Sequence, residues 1–410
     1  MIVIRRFLSL FAIAVALGAP QFANAQAPAG VSEGDWESMK NLVDPTAVHF
    51  EGYEAGLGLK EDGSPYRVLY TPSWLGDDYQ VVANGLLHAQ LGKAGVEVTT
   101  ISGDLGAANQ VRAIEDAIAT GQYDAIILQP LNPQTIAVAV DKAVAAGIDV
   151  YSWVTTPNTE EYTGFAGYDA DLVETNGQVG TKLVELAEAA GATEENPYLV
   201  LEIWGGRSYP TSQTRHSGVH KGIGDSKIVK VIETADTDGN PDTVIRAIQD
   251  AFAQYPGIQA MYPHWGDASS FEEGLRSVGR LADKGEDGHV VVFLQDIDKS
   301  MLGGMRDGVF DYTLSNGPWP QIDLVMKMFL WHTVLKQPLG DGADLPKDVY
   351  LPMPLLTGEQ LYTPEGQLFG ASVAFADMPL GKWDVWPVLD TTSVGYPVPT
   401  LAARKTLLGY

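Results

Sequence analysis

The sequence predicts an α/β protein of two lobes, each an open, doubly wound parallel sheet, followed by a C-terminal extension. Short runs rich in Val, Ile, Leu and Tyr alternate with amphipathic stretches of helical periodicity. The runs are continuously apolar rather than alternating, which marks strands buried on both faces of a parallel sheet. The alternation comes as two series, over 66–153 and 162–315. Strands alternating with single helices in this way imply a doubly wound sheet for each series.

In the first series, "YRVLYT" (66–71) precedes a helix around 79–93, and "VEVTTI" (96–101) precedes one around 107–120. "DAIILQ" (124–129) precedes "PQTIAVAVDKAVAAG" (133–147), and "IDVYSW" (148–153) closes the set. Gly95, Gly121 and Gly147 stand where the three helices should stop. The second series runs "YTGFAG" (162–167), a helix around 171–190, "PYLVLEIW" (197–204), a helix near 213–224 and "KIVKVIE" (227–233). It continues with a helix around 242–254, "IQAMYP" (258–263), a helix near 268–283, "HVVVFLQ" (289–295) and "FDYTLS" (310–315).

The start of the chain reads as a cleaved secretory signal over 1–25. Arg5 and Arg6 give the basic region, 7–19 the apolar core, and Ala23-Asn24-Ala25 the small-residue cleavage site. That apolar run is too short for a comfortable membrane span, which needs about 20 residues. A polar, mobile leader is expected over 26–65. The chain has no cysteine, so thiol chemistry, disulfide stapling and a lipid anchor on an N-terminal Cys are excluded. A net charge of −26 argues against nucleic acid and anionic lipid as partners. An exported, periplasmic protein without direct membrane insertion after signal cleavage is the expectation.

In doubly wound sheets ligands bind beyond the carboxyl ends of the strands. Gln129 lies one residue past a buried strand, and Pro130 ends the ladder there. Its amide can serve a polar solute or cap a neighbouring backbone group; position alone leaves both open. The other strand ends carry Ser73-Trp74 and Tyr79, Ser152-Trp153, Tyr168-Asp169, Trp204, His264-Trp265, Gln295-Asp296, and Asn316 with Trp319. Indole faces so placed suit the C–H face of a sugar or a cationic head group, or else pack the rim of the core.

Catalytic patterns are missing: the chain has no G-x-S-x-G, H-E-x-x-H, P-loop or G-x-G-x-x-G after a strand. His216 and His220 stand at i, i+4 in "TRHSGVHKG" and could chelate zinc on a helix face, but no third ligand lies at motif spacing. "ADTDGNPDT" (235–243) lacks the Glu of a calcium loop and reads as a strand-to-helix turn capped by Asn240 or Asp242. No metal, no cofactor and no catalytic residue are expected. An alternative, a secreted hydrolase or isomerase using Asp169, Asp296 and His264, has no acid–base pair at identifiable spacing behind it.

Several stretches together carry a family resemblance. "YDAIILQPLNPQTIAVAVDKAVAAGIDV" (123–150), "GYDADLVETNGQVGTKL" (167–183), "RHSGVHKGI" (215–223) and "YPGIQAMYPHWGDAS" (255–269) follow one another in the order found in periplasmic solute-binding proteins of ABC importers. The chain resembles the ribose- and galactose-binding, type I, group of that family over about 66–350. DNA-binding repressors of the same fold carry a helix-turn-helix where this chain carries an export signal.

The resemblance implies a type I periplasmic binding protein fold whose lobes close by hinge bending. Lobe one would comprise 66–166 plus 317–348, and lobe two 167–316 plus 349–356. Hinge strands would lie near Gly167, Ser315 and Val349, leaving 357–410 as an extension that packs on a lobe or meets another subunit. The family's contacts fall on Gln129 and on Tyr79 with Trp74, but its sugar-clamping Asp-Arg pair falls on Val154 and Thr155. Its strand-end Asn falls on Trp265, its strand-end Asp on Gln295 or Asp296, its late polar residue on Asn316 and its helix Arg on Arg215. The ligand-binding set is therefore Trp74, Tyr79, Gln129, Trp153, Tyr168, Trp204, Arg215, Trp265, Asp296 and Asn316. The resemblance implies capture of a sugar, polyol or related solute and its delivery to an inner-membrane ABC permease. A periplasmic sensor for a chemoreceptor or sensor kinase is the alternative.

Overall fold

The computed structural model describes residues 53–358, apart from 77, 169–171, 266–267, 297–300, 302–303, 306, 315, 317, 344–345, 352 and 354, together with 401–408. The expected signal segment, the leader up to 52 and residues 359–400 of the extension lie outside the described residues.

The first lobe is built from β1 (Arg67–Thr71), α1 (Asp78–Ala94), β2 (Glu97–Thr100), α2 (Ala107–Thr120), β3 (Ala125–Leu128), α3 (Pro133–Ala145), β4 (Asp149–Trp153) and β5 (Gly164–Tyr168). The second follows as α4 (Leu172–Ala189), β6 (Tyr198–Ile203), α5 (Pro210–Ile223), β7 (Val229–Glu233), α6 (Pro241–Gln254), β8 (Ile258–Pro263), α7 (Ala268–Ser277), β9 (Val291–Gln295) and β10 (Tyr312–Leu314). The chain then returns through α8 (Pro318–Phe329), which runs into a π-helical turn (Leu330–Val334), and through β11 (Asp348–Leu351) and β12 (Leu355–Thr357). A last helix, α9, spans Leu401–Leu408.

Two six-stranded sheets result, ordered β11-β5-β4-β3-β1-β2 and β12-β10-β9-β8-β6-β7. All pairings are parallel except that of β10 with β12. Strand β3, "AIIL", is buried throughout because helices cover both faces of its sheet. Ile126 and Leu128 pack with Ile114 and Ile136 of α2 and α3, while Ile127 faces the opposite layer with Leu87 and Phe329. Caps follow local chemistry: Asn132 and Asn240 accept hydrogen bonds from the amides of Thr135 and Thr243, and a proline follows each cap.

The strand pairings move the lobe boundaries. Gly167 and Tyr168 still belong to β5 of the first sheet, and 348–351 pairs with β5 rather than joining lobe two. Only 355–357 adds to the second sheet, against β10. The leader is also corrected. Tyr53 and Leu57 are buried in the lobe-one core, Leu59 bridges Pro65, and the carbonyls of Gly56 and Leu57 accept hydrogen bonds from Arg404 of α9. The apolar Tyr53 and Leu57 give 53–65 a reason to pack that its polar neighbours obscure.

In lobe two, α4 and α5 approach through glycines. A Cβ at Gly180 would stand 2.1 Å from the carbonyl oxygen of Val219, and one at Gly222 would stand 2.0 Å from that of Gly177. This backbone-to-backbone contact fixes α5, the helix that brings most polar groups to the space between the lobes.

Candidate functional site

The carboxyl ends of the strands in both sheets face a shared cleft. Val154 and Thr155 follow β4, Leu172 and Asn176 come from the start of α4, and Thr211, Thr214 and Arg215 from the first turns of α5. Asn316, Gln321 and Met353, from the returning chain, complete the lining of a cavity of about 50 Å³.

A polar relay crosses this space. Gln321 Nε2 donates to the Tyr79 hydroxyl at 2.8 Å and to Asn316 Oδ1 at 3.2 Å. Asn316 Nδ2 donates to Asp296 Oδ1 at 2.6 Å, and Asp296 Oδ2 stands 3.9 Å from the Arg215 guanidinium. Arg215 also donates to the main-chain carbonyl of His264. The series thus begins on α1 in lobe one and ends in lobe two on α5 and on the residue that follows β8. Beneath it in lobe two, Gln295 Nε2 donates to the Tyr262 hydroxyl at 2.8 Å and to Asn176 Oδ1 at 3.1 Å, so Asn176 is held in place from below.

Two residues at the lip share an uncommon backbone. Val154, one past β4, and Asp296, one past β9, both have φ of 65°. Each uses its backbone N–H to hold the neighbouring strand, Val154 to the carbonyl of Ala166 and Asp296 to that of Leu314. A left-handed valine is an outlier because its branched Cβ crowds the carbonyl, and such residues cluster at functional sites.

A family model described as a periplasmic binding protein domain matches residues 68–332. The chain belongs to the periplasmic binding protein family. The ribose import binding protein RbsB of Bacillus subtilis (strain 168) is 25% identical over 228 residues, covering 55% of this chain and 68% of that protein. Among solved structures, a Mycobacterium smegmatis protein in complex with β-D-fucofuranose is similar with a TM-score of 0.62 at 17% identity, covering 76% of this chain and 97% of its own. The Caulobacter myo-inositol binding protein, bound to myo-inositol, is similar with a TM-score of 0.60 at 20% identity, covering 72% and 94%. These agree with the type I fold of two mostly parallel α/β sheets and with the resemblance carried by the sequence.

In this periplasmic binding protein, the ten residues chosen from strand ends and from the family's helix pattern separate into three groups. Arg215 and Asn316 line the cavity, and Tyr79 and Asp296 are tied to its lining by the relay. Five others do not line it. Trp153 is fully buried and stacks under Tyr79 at 5.8 Å with an interplanar angle of 5°; its indole nitrogen has no hydrogen-bond partner among the described residues. Trp204 is buried, donates to Glu233 at 2.9 Å and lies between Arg207 and two histidine rings. Trp265 packs on Tyr209, over Gly205 and Gly239, and Trp74 folds over Gly76. Gln129 accepts at its side-chain oxygen from the Ser73 hydroxyl at 2.9 Å and from the Ser73 backbone N–H at 3.4 Å, both within lobe one. The side chains of Tyr168 and Trp319, and Asp169, lie outside what the structure describes. Sequence reasoning missed Asn176, Thr211, Thr214 and Gln321, all on helix faces.

One cluster lies outside the cleft. Glu202, on β6, is bonded by His264 Nε2 at 2.8 Å, by His216 Nδ1 at 3.1 Å and by His220 Nε2 at 3.1 Å. Burial pushes the Glu202 carboxyl up, but the hydrogen bonds from His220 and His264 outweigh it and hold it at about 2. Burial pushes the His264 imidazole down despite that bond, so it is neutral at neutral pH and donates from Nε2.

Proposed function

We propose that this protein is the periplasmic substrate-binding component of an ABC importer, which captures a small sugar or polyol between its lobes and hands it to a membrane permease. The observation that carries this reading is the relay from Tyr79 through Gln321, Asn316 and Asp296 to Arg215. It collects polar groups from both lobes at the carboxyl ends of two parallel sheets. Its donors and acceptors are amides, hydroxyls and one guanidinium already opposed by a carboxylate, a set that matches a neutral, hydroxyl-rich solute better than a strong ion. The sugar, inositol and ribose ligands named for the similar proteins are of this class.

A cavity of about 50 Å³ is too small for such a guest. One water takes up about 30 Å³ of liquid, and ligand sites run to about 300–1,000 Å³. The lobes therefore part to admit the solute and close on it, and the closed state gains by the solute's differential affinity for it. Val154 and Thr155 replace the family's charged sugar clamp, which favours a polyol or a less hydroxylated sugar over an aldopyranose held in the usual way. Its place of work is the periplasm, reached through cleavage of the 1–25 signal; among the described residues no helix is long and apolar enough to cross a membrane. It acts by binding rather than by turnover, since Asp296 and His264 are committed to Asn316, Arg215 and Glu202.

Calorimetric titration of the purified protein with pentoses, hexoses, furanoses, inositols and betaines tests this. One sugar or polyol binds tightly, and Arg215→Ala lowers its affinity about tenfold or more, because the cavity loses its guanidinium and the charge opposite Asp296. Tight binding of a betaine alone, or unchanged affinity in Arg215→Ala, sinks the reading.

A further inference from the structure

The cluster around Glu202 has the composition and geometry of a metal site. Glu202 projects from β6 and is 1% exposed. His216 and His220 stand one turn apart on α5, and Glu233 ends β7. One ligand atom from each of the four lies within 4.8 Å of all the others. Tetrahedral zinc, with N and O ligands at about 2.0–2.2 Å, sets its ligand atoms about 3.3–3.6 Å apart. His216 Nδ1 and His220 Nε2 lie 3.2 and 3.1 Å from Glu202 Oε2, slightly inside that spacing, so the set opens a little around an ion while its wider pairs draw in.

A second observation is independent of the histidines. In the parallel pairing of β6 with β7, Glu202 is the direct register partner of Glu233. Like charges so placed repel each other, and a cation between them would relieve the repulsion further than Arg207 does from its side of Glu233 at 3.2 Å. The outer contacts are those of a ligand set held in orientation. His264, fully buried, fixes Glu202 Oε1 from behind through Nε2, and its other ring nitrogen has no partner among the described residues. Trp204 Nε1 and Arg207 hold Glu233 Oε2 at 2.9 and 3.2 Å, leaving Oε1 to turn inward. Carboxylate ligands of metal sites are themselves held by hydrogen bonds from an outer layer, which His264 and Trp204 supply here.

We propose that Glu202, His216, His220 and Glu233 bind one zinc ion, with His264 and Trp204 positioning the two carboxylates. Imidazole and carboxylate ligands suit a first-row divalent ion better than calcium, which takes six to eight oxygens. All four positions of the tetrahedron are protein groups, so the ion's role is structural: it fastens α5 to the edge of the second sheet. That helix also carries Thr211, Thr214 and Arg215 of the cleft.

The test uses untagged, chelator-treated full chain. Equilibrium dialysis with metal analysis finds one zinc per chain, calcium fails to compete, and cobalt in place of zinc gives the strong visible absorption of a tetrahedral site. His220→Ala and Glu233→Gln, both at partly or fully exposed positions, each weaken zinc binding about tenfold or more, and His88→Ala in lobe one leaves it unchanged. Absence of stoichiometric zinc, a weak octahedral cobalt spectrum, or equal affinity in both variants and the parent overturns the proposal. The cobalt spectrum of the parent protein decides the matter even if a variant fails to fold.

Discussion

The two lobes repeat one architecture, and both bury carboxylates with partners, but they supply charge to the cleft differently. Lobe one seals its ion pair inside: Lys327 and Asp323, one turn apart on α8, meet at 2.6 Å with side chains 2% and 5% exposed, and the Tyr53 hydroxyl donates to Asp323 at 3.0 Å. Lobe two brings its pair, Arg215 and Asp296, to the cleft and its Glu202 cluster to the edge of the sheet. The lips differ in the same sense, with Val154 in lobe one at the position that Asp296 takes in lobe two. Lobe one therefore contributes shape and neutral hydrogen bonds to the cleft, while lobe two contributes charge.

The largest expected effect tests whether the sealed pair is structural. Lys327→Met leaves the Asp323 carboxyl in the interior without its lysine partner, with the Tyr53 hydroxyl still donating to it. Breaking a buried pair by removing one partner costs about 3–5 kcal/mol, whereas replacing both with apolar groups of similar volume is close to neutral. Urea unfolding should show that loss for Lys327→Met and recovery of most of it in Lys327→Met combined with Asp323→Leu. Equal stability of parent and single variant would remove the contrast between the lobes.

The plan of the molecule was legible because burial on both faces forces runs such as "AIIL" to be apolar without a break, and helices of matching length must cover them. The cleft was legible only in part. A strand-end offset fixes where a Cα sits but not where the side chain turns, so Asn316 reaches the cavity while Trp153 and Trp204 turn into packing; Arg215 was reached through the family's helix pattern instead. Gln321 and Asn176 lie on helices whose rotation is set by tertiary contacts, for α4 by the glycines that let it lie against α5, and no local pattern marks them. The partners of His216 and His220 were hidden for a related reason: Glu202 and Glu233 reach them through strand register, over a sequence distance that no motif spans.

A smaller effect separates charge from backbone at the lip. Asp296→Val gives lobe two the residue that lobe one has at the same left-handed position, and Asp296→Asn removes the charge while keeping a residue that tolerates this conformation. The left-handed region costs a residue with a Cβ about 1–2 kcal/mol, a cost that Asp and Asn soften by local hydrogen bonding. Asp296→Val should therefore unfold about 1–2 kcal/mol more easily than Asp296→Asn. Equal stability of the two variants would mean that the valine at 154 is held without strain as well.

The smallest effect sets the lobes against each other in pH. In lobe two, burial lowers the His289 imidazole, but its hydrogen bonds to Asp311 at 3.0 Å and to the carbonyl of Ala282 prevail, and its pKa is raised. A raised histidine contributes stability in full below the unfolded value of about 6.5 and loses it as pH rises through the folded value. In lobe one, His88 is exposed at the surface, and desolvation of part of its ring lowers its pKa. The stability tied to its neutral form is present above about 6.5 and is lost as pH falls from there towards the folded value. Acidification from pH 8 to 5.5 should thus weaken hydrogen-exchange protection of α1 around His88 and strengthen that of β9 and β10 around Asp311. Asp311→Asn should abolish the second change and leave the first. A parallel response of both segments, or a β9–β10 response that survives Asp311→Asn, would show that the Asp311–His289 pair does not distinguish the lobes in acid.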